Sequence, residues 1–221
     1  MKAEDGRLSI FNGFNIMKLS EADKNRIEEA VKKAESTTSG EIVPLIVHAA
    51  DAYPHADFVG AFIGQAIFLV AGMWIFPDFD YFIAAALLIA GFILGFFFVH
   101  FTPSVKRFLI GHKVIETEVY QRAVQAFVEH GLVKTRDHTG ILIMVALMEH
   151  RVRVLADEGI NAKVKADQWD EVVGLVLKGV ANKSLADGLV AAIERCGEIL
   201  TADFPIKADD TNELSNKLII E

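Results

Sequence analysis

Residues 58–76 read FVGAFIGQAIFLVAGMWIF, and residues 81–101 read YFIAAALLIAGFILGFFFVHF. Gln65 is the only strongly polar side chain of the first run, and His100 the only ionisable one of the second. A bilayer core of about 30 Å takes about 20 apolar residues as helix, so each run is long enough to span it. Only Pro77, Asp78, Phe79 and Asp80 lie between them, enough for a tight turn. Helices packed on a soluble core keep a polar face, and these runs have none. The pattern predicts an antiparallel transmembrane hairpin over 58–101, with both flanks on one side of the membrane.

Charge gives the orientation. No Lys or Arg occurs between Lys33 and Lys106, whereas Lys106, Arg107 and Lys113 follow the second run and the turn carries Asp78 and Asp80. Positive charge stays cytoplasmic, so the expectation is an integral protein of a bacterial inner membrane with both termini cytoplasmic. Residues 1–16 lack the apolar stretch and cleavage site of a signal peptide. A single cysteine, Cys196, excludes an intramolecular disulfide and fits a reducing compartment. The net charge of −8 argues against nucleic acid as a partner.

The flanks carry the pattern of one α/β domain. Ser20-Glu21-Ala22-Asp23 resembles a capping box, and Ile27, Ala30, Val31 and Ala34 follow at helical spacing. Residues 41–49 (EIVPLIVHA) are short, apolar and rich in β-branched side chains, which reads as a strand, with Pro44 favouring an edge or a bulge. After the hairpin, Thr102-Pro103 signals a helix start. Val105, Phe108, His112, Ile115, Val119, Ala123, Ala126 and Phe127 then suggest one long amphipathic helix, ended by Gly131. Residues 139–147 (TGILIMVAL) read as a central strand, and RVRVLA at 151–156 as its hairpin partner with Arg151 and Arg153 on a wetter face. Two helical stripes follow: Trp169, Val172, Val173, Val176, Leu177 and Val180, then Leu185, Leu189, Ala192, Ile193, Cys196 and Leu200.

The long helix serves as a crossover that makes the first two strands parallel. The expected fold is α/β, a small mixed β-sheet sandwiched by helices (α/β/α) and interrupted by the hairpin. The expected parts are an N-terminal arm at 1–16, a domain of 17–57 plus 102–206, the hairpin at 58–101 and a C-terminal tail at 207–221.

Several pieces in this order resemble a TPM domain: Thr38-Ser39-Gly40-Glu41-Ile42-Val43, Thr139-Gly140-Ile141-Leu142-Ile143, Arg151-Val152, Asp157-Glu158-Gly159-Ile160 and Asn212-Glu213-Leu214. The resemblance covers residues 17–215 apart from the hairpin. That family includes thylakoid-lumen proteins linked to photosystem repair and many bacterial membrane proteins. The resemblance implies a compact α/β/α sandwich, and it keeps calcium binding and a phosphatase activity open as expectations.

Candidate chemistry gathers at the strand ends, at Glu41, Glu149, His150, Arg151, Asp157 and Glu158. A divalent cation wants converging oxygen ligands, and Glu41, Asp157 and Glu158 are the candidates. The competing reading has Glu41 and Asp157 bonding loop backbone. The seven histidines show no zinc spacing, the hairpin lacks a second histidine for haem, and no phosphate-binding glycine loop occurs. Within the hairpin, Gly60 and Gly64, with Gly91 and Gly95, form two small-residue pairs that permit close helix packing. They serve either the hairpin itself or the capture of another membrane protein. The leading expectation is a membrane-anchored cytosolic module acting by protein–protein interaction, in assembly or maintenance of a membrane complex. Its partners would be the lipid bilayer and a membrane protein or a second copy of the chain. The alternative is a metal-dependent, phosphatase-like hydrolase.

Overall fold

The computed structural model describes residues 19–76, 80–207 and 209–221. The arm expected at 1–16 and most of the turn at 77–80 lie outside the described residues. Among those described, the order is α1 (Glu21–Glu35), β1 (Glu41–Val47), α2 (Pro54–Ile75), α3 (Tyr81–His100), α4 (Pro103–Leu109), α5 (His112–Glu129), a 3-10 turn (Leu132–Lys134), β2 (Gly140–Ala146), β3 (Arg151–Ala156), α6 (Glu158–Asn161), α7 (Ala166–Ala181), α8 (Leu185–Asp203) and β4 (Ile219–Ile220). The described residues form two compact units, one of those up to Ala50 and from Val119 onward, the other of those from Asp51 to Glu118.

The first unit is the α/β domain. Its sheet has the order β3-β2-β1-β4. β1 runs parallel to β2, with Glu41 opposite Gly140 and Val47 opposite Ala146. β3 returns antiparallel to β2, and β4 lies parallel to β1. Both faces are covered, as the doubly apolar strands require. On one face Ile42, Ile46, Ile141, Ile143 and Val145 meet the stripes of α1, α7 and α8 in one core. On the other, Val43, Leu45, Val47, Leu142 and Met144 are equally buried, as are Val119, Ala123, Ala126 and Phe127 of α5. Arg153, opposite Met144, lies over the Tyr120 ring of α5 at 5.8 Å, so it is half-buried rather than part of a wet face. The mixed α/β/α sandwich is the fold expected from the sequence.

Pro44 sits in an internal strand, yet it occupies edge-like backbone. Glu41 N–H bonds across to Thr139 on the β2 side. Alternation therefore turns the N–H of Ile42 and the ring nitrogen of Pro44 to the other side. β4 pairs only with Leu45 and Ile46 and does not reach them. The Ile42 N–H bonds instead to Glu35 Oε1 at 2.8 Å.

The second unit holds the apolar pair. α2 and α3 are each long and apolar enough to cross a membrane. They pack antiparallel on the four glycines: Gly60 meets Gly95 and Gly64 meets Gly91 so closely that a Cβ on Gly91 would lie 2.6 Å from the Gly64 carbonyl oxygen. Phe58 packs edge-on to Phe96 and Phe62 to Phe92 along the same seam. The small-residue faces are thus spent within the hairpin. Asp80 caps α3 by accepting from Ile83 N–H at 2.9 Å.

The single long helix expected over 103–130 is two helices. Ile110 turns extended (φ −84°, ψ 127°) ahead of Gly111, and the helix restarts at His112. The restart resets the helical phase. Ile115, Val119, Ala123 and Ala126 keep the inward stripe, whereas Phe108 is 87% exposed and His112 is exposed. The helix of the first apolar run already begins at Pro54, ahead of Phe58, which places Asp57 in the first turn of α2.

Because residues on both sides of 51–118 make one unit, that segment is a large insertion in a single domain. Replacing it with a Gly/Ser linker of about a dozen residues lowers the loop-closure cost by about 1–2 kcal/mol. The shortened protein should be soluble and unfold in one cooperative thermal transition, with β1 amides protected from exchange. Unprotected β1 amides in an otherwise folded product would show that β1 needs the insertion.

Candidate functional site

A cavity of about 890 Å³ opens in the α/β domain between the C-terminal half of α1, the start of β1 and the segment leading to β4. Glu28, Glu29, Glu35, Glu41 and Asp210 line it, against Lys32 and Lys217. Two of these carboxylates lie at its base. Glu35 is the last residue of α1 and Glu41 the first of β1, joined by a turn in which Thr38 hydroxyl bonds Phe204 O at 2.6 Å.

Both carboxylates hold backbone. Glu41, 7% exposed, accepts from Glu213 N–H at 2.9 Å and Leu214 N–H at 3.3 Å. Glu35 accepts from Ile42 N–H on one oxygen and from the Asn216 amide on the other. Together they clasp residues 213–216, from which the chain runs on into β4. Burial, with the Glu41 carboxylate beside it, pushes Glu35 up to about 8 against the pull of the Ile42 N–H. Burial also raises Glu41, opposed by the Glu213 and Leu214 N–H groups. The arrangement is two largely buried carboxyl groups side by side, each accepting from a peptide donor.

The remaining candidates divide between the ends of the sheet. Asp157 N–H bonds Gly140 O, which puts Asp157 at the Glu41 end. Its side chain caps α6, accepting from Glu158 N–H at 2.8 Å, and lies 3.2 Å from His138 Nδ1. Glu158 is exposed. Glu149, His150 and Arg151 lie at the opposite end, where Ala146 pairs with Arg151, and Glu149 accepts from Ala50 N–H at 2.8 Å. Glu41 and Asp157 therefore act on loop and helix backbone. Among the described residues no group of three or more His, Cys, Asp or Glu side chains is placed to hold a metal ion. Cys196 is fully buried, and burial pushes its thiol up to about 12, as suits a core residue.

The sequence reading passed over Glu35 and His138. Glu35 has a legible signal: an acid in the last turn of a helix opposes the macrodipole and needs a reason to be there. His138 has none in spacing, since 19 residues separate it from Asp157. It takes a left-handed backbone (φ 54°), uncommon for a residue with a side chain.

A third constellation belongs to the unit of residues 51–118. Asp57, 4% exposed, places Oδ2 at 3.0 Å from Lys106 Nζ and 3.2 Å from His100 Nδ1. One carboxylate thus ties α2 to the end of α3 and to α4.

Glu35 and Glu41 are both raised above their unfolded values near 4.5. Their contribution to stability is complete below that value and is lost as pH rises, that of Glu35 through about 8. The α/β domain should accordingly become less stable between pH 5 and pH 9. Glu35→Gln should flatten that slope and at pH 9 exceed the parent by about 1–3 kcal/mol. Urea unfolding followed by circular dichroism at the two pH values measures it.

The TPM domain model matches residues 97–199. No curated protein matches the sequence. Among solved structures, the NMR structure of the BA42 protein from the psychrophilic bacterium Bizionia argentinensis is similar, with a TM-score of 0.57 and 21% identity over 97% of this chain and 100% of that one. At that identity the likeness is one of fold. The matched residues take in α4 to α7, β2, β3 and most of α8, and over this segment the chain is similar to the TPM domain family.

Proposed function

We propose that this protein is a membrane-anchored α/β module that works by binding another membrane protein, in the assembly or upkeep of a membrane complex. Its domain faces the cytosol and the hairpin holds it to the bilayer. The outward surface of α2 and α3 supports the anchor: Phe62, Ile67, Met73, Trp74, Phe82 and Ile89 are all 59% exposed or more. The observation that carries the binding role is on α5. Tyr120, Val124 and Val128 stand four residues apart on one side of that helix, 45%, 39% and 55% exposed. A helix that already buries Val119, Ala123, Ala126 and Phe127 thus presents a second apolar stripe.

The orientation rests on Lys106, Arg107 and Lys113 after the second span and on Asp78 and Asp80 between the spans. Cysteines placed at Asp78 and at Lys113 test it, since buried Cys196 stays unreactive. An impermeant thiol reagent on intact cells should label position 78 and spare 113, and labelling at 113 would reverse the orientation.

A photo-crosslinking residue at Val128, activated in native membranes, should give one discrete adduct that is missing when the same residue is placed at Lys178 on α7. Val124→Asp together with Val128→Asp should reduce recovery of that complex several-fold while the circular dichroism spectrum stays unchanged. No adduct at position 128, or equal adducts at both positions, would remove the binding role from α5.

A further inference from the structure

The polarity of α4 is inverted. Its charged Lys106 is 8% exposed and its Phe108 87% exposed. Lys106 turns inward to Asp57, whose carboxylate is itself 4% exposed, while Phe101, just before α4, is 73% exposed. Phe101 caps α3 and Phe108 lies near the end of α4, so exposed rings stand at both ends of this short helix. A helix bathed in water takes the opposite arrangement, because a buried ion pair forfeits hydration and an exposed phenyl ring gains nothing from water. In the boundary layer of a bilayer both choices become favourable. The rings enter the acyl region, and the ion pair, shielded from water, is satisfied within the protein.

Two neighbouring features fit the same surroundings. Exposed aromatic side chains recur from the end of α3 into α4, with Phe97 at 49% and Phe98 at 62% before Phe101 and Phe108. Lys113, exposed at the start of α5, offers a cation at the level where headgroup phosphates lie.

We propose that α4 is an interfacial helix: it lies in the headgroup–acyl boundary of the phospholipid bilayer with Phe101 and Phe108 dipped among the lipid chains, and the Asp57–Lys106 pair locks it to the base of α2. This rests on the hairpin being the membrane anchor and adds a third lipid-contacting element to it. The lock sets the angle at which the chain leaves the second span, so the hairpin is held at its base as well as through its glycines.

The test uses the full chain reconstituted in phosphatidylcholine vesicles containing phosphatidylglycerol. An environment-sensitive fluorophore is attached to a cysteine at Phe108, at Ile89 in mid-α3 or at Lys178 on α7, with buried Cys196 left in place. Position 89 should be quenched by nitroxides deep in the acyl chains. Position 108 should be blue-shifted and quenched by nitroxides near the lipid carbonyls several-fold more than position 178, which aqueous iodide should reach. Phe101→Ser together with Phe108→Ser, with the probe moved to Ser104, should raise its iodide quenching several-fold over the same probe with both rings present. If position 89 lies in lipid while position 108 is as open to iodide as position 178, α4 is in water and the proposal falls alone. If position 89 is also open to iodide, the anchor reading falls with it.

Discussion

The parallel ladder between β1 and β2 is the constraint on which the molecule depends. Parallel neighbours cannot be joined by a short turn, so chain must travel from the end of one strand back to the start of the next. Here that connection holds α2, α3, α4 and α5, and only α5 has the buried stripe needed to cover a sheet. The apolar pair can be so foreign to the domain because the ladder, paired along all seven residues of β1, asks only that the chain return. The cost of a long connection rises only with the logarithm of its length. A sheet that has already accepted a crossover therefore accepts two membrane-sized helices at little further expense.

Two solutions to buried charge coexist. In the α/β domain, Glu35 and Glu41 lie together and are held by peptide N–H groups and an amide, and burial raises both. In the other unit, Asp57 is met by a full opposite charge on Lys106 and by His100. The first arrangement suits a clasp, since peptide donors belong to a segment that has to be held in place. The second suits a brace between helices, where a side-chain cation can reach across from another element. A carboxylate buried without either would be costly, and each of these has a partner on at least one oxygen.

The layered fold was readable because it rests on period. The stripes of α1, α7 and α8 repeat at three and four residues, and β2 is apolar throughout, so each announces both its conformation and its burial. What escaped has no period. Ile110-Gly111 interrupts a stripe that looks continuous when residues are only counted, and the error surfaces at Phe108, whose exposure needs the third dimension. β4 is two residues at the end of a polar tail, too short to alternate. The clasp escaped because Glu35 and Asn216 stand 181 residues apart in the chain. The competing reading of Glu41 and Asp157 as backbone-bonding residues named the role they have, although not the segments they hold.

The way Pro44 and Glu35 finish the open side of β1 bears on how the protein behaves when crowded. A strand with free amides on one side is a template on which another copy can zip up, and sheets guard against this by leaving little to pair with. On β1 the first outward amide is taken by Glu35, the second position has no hydrogen to give, and Glu221 exchanges bonds with Ile46 and His48. A foreign strand would find no donor to begin from until β4 had been peeled away. That sealed border keeps a foreign strand from starting a ladder along β1.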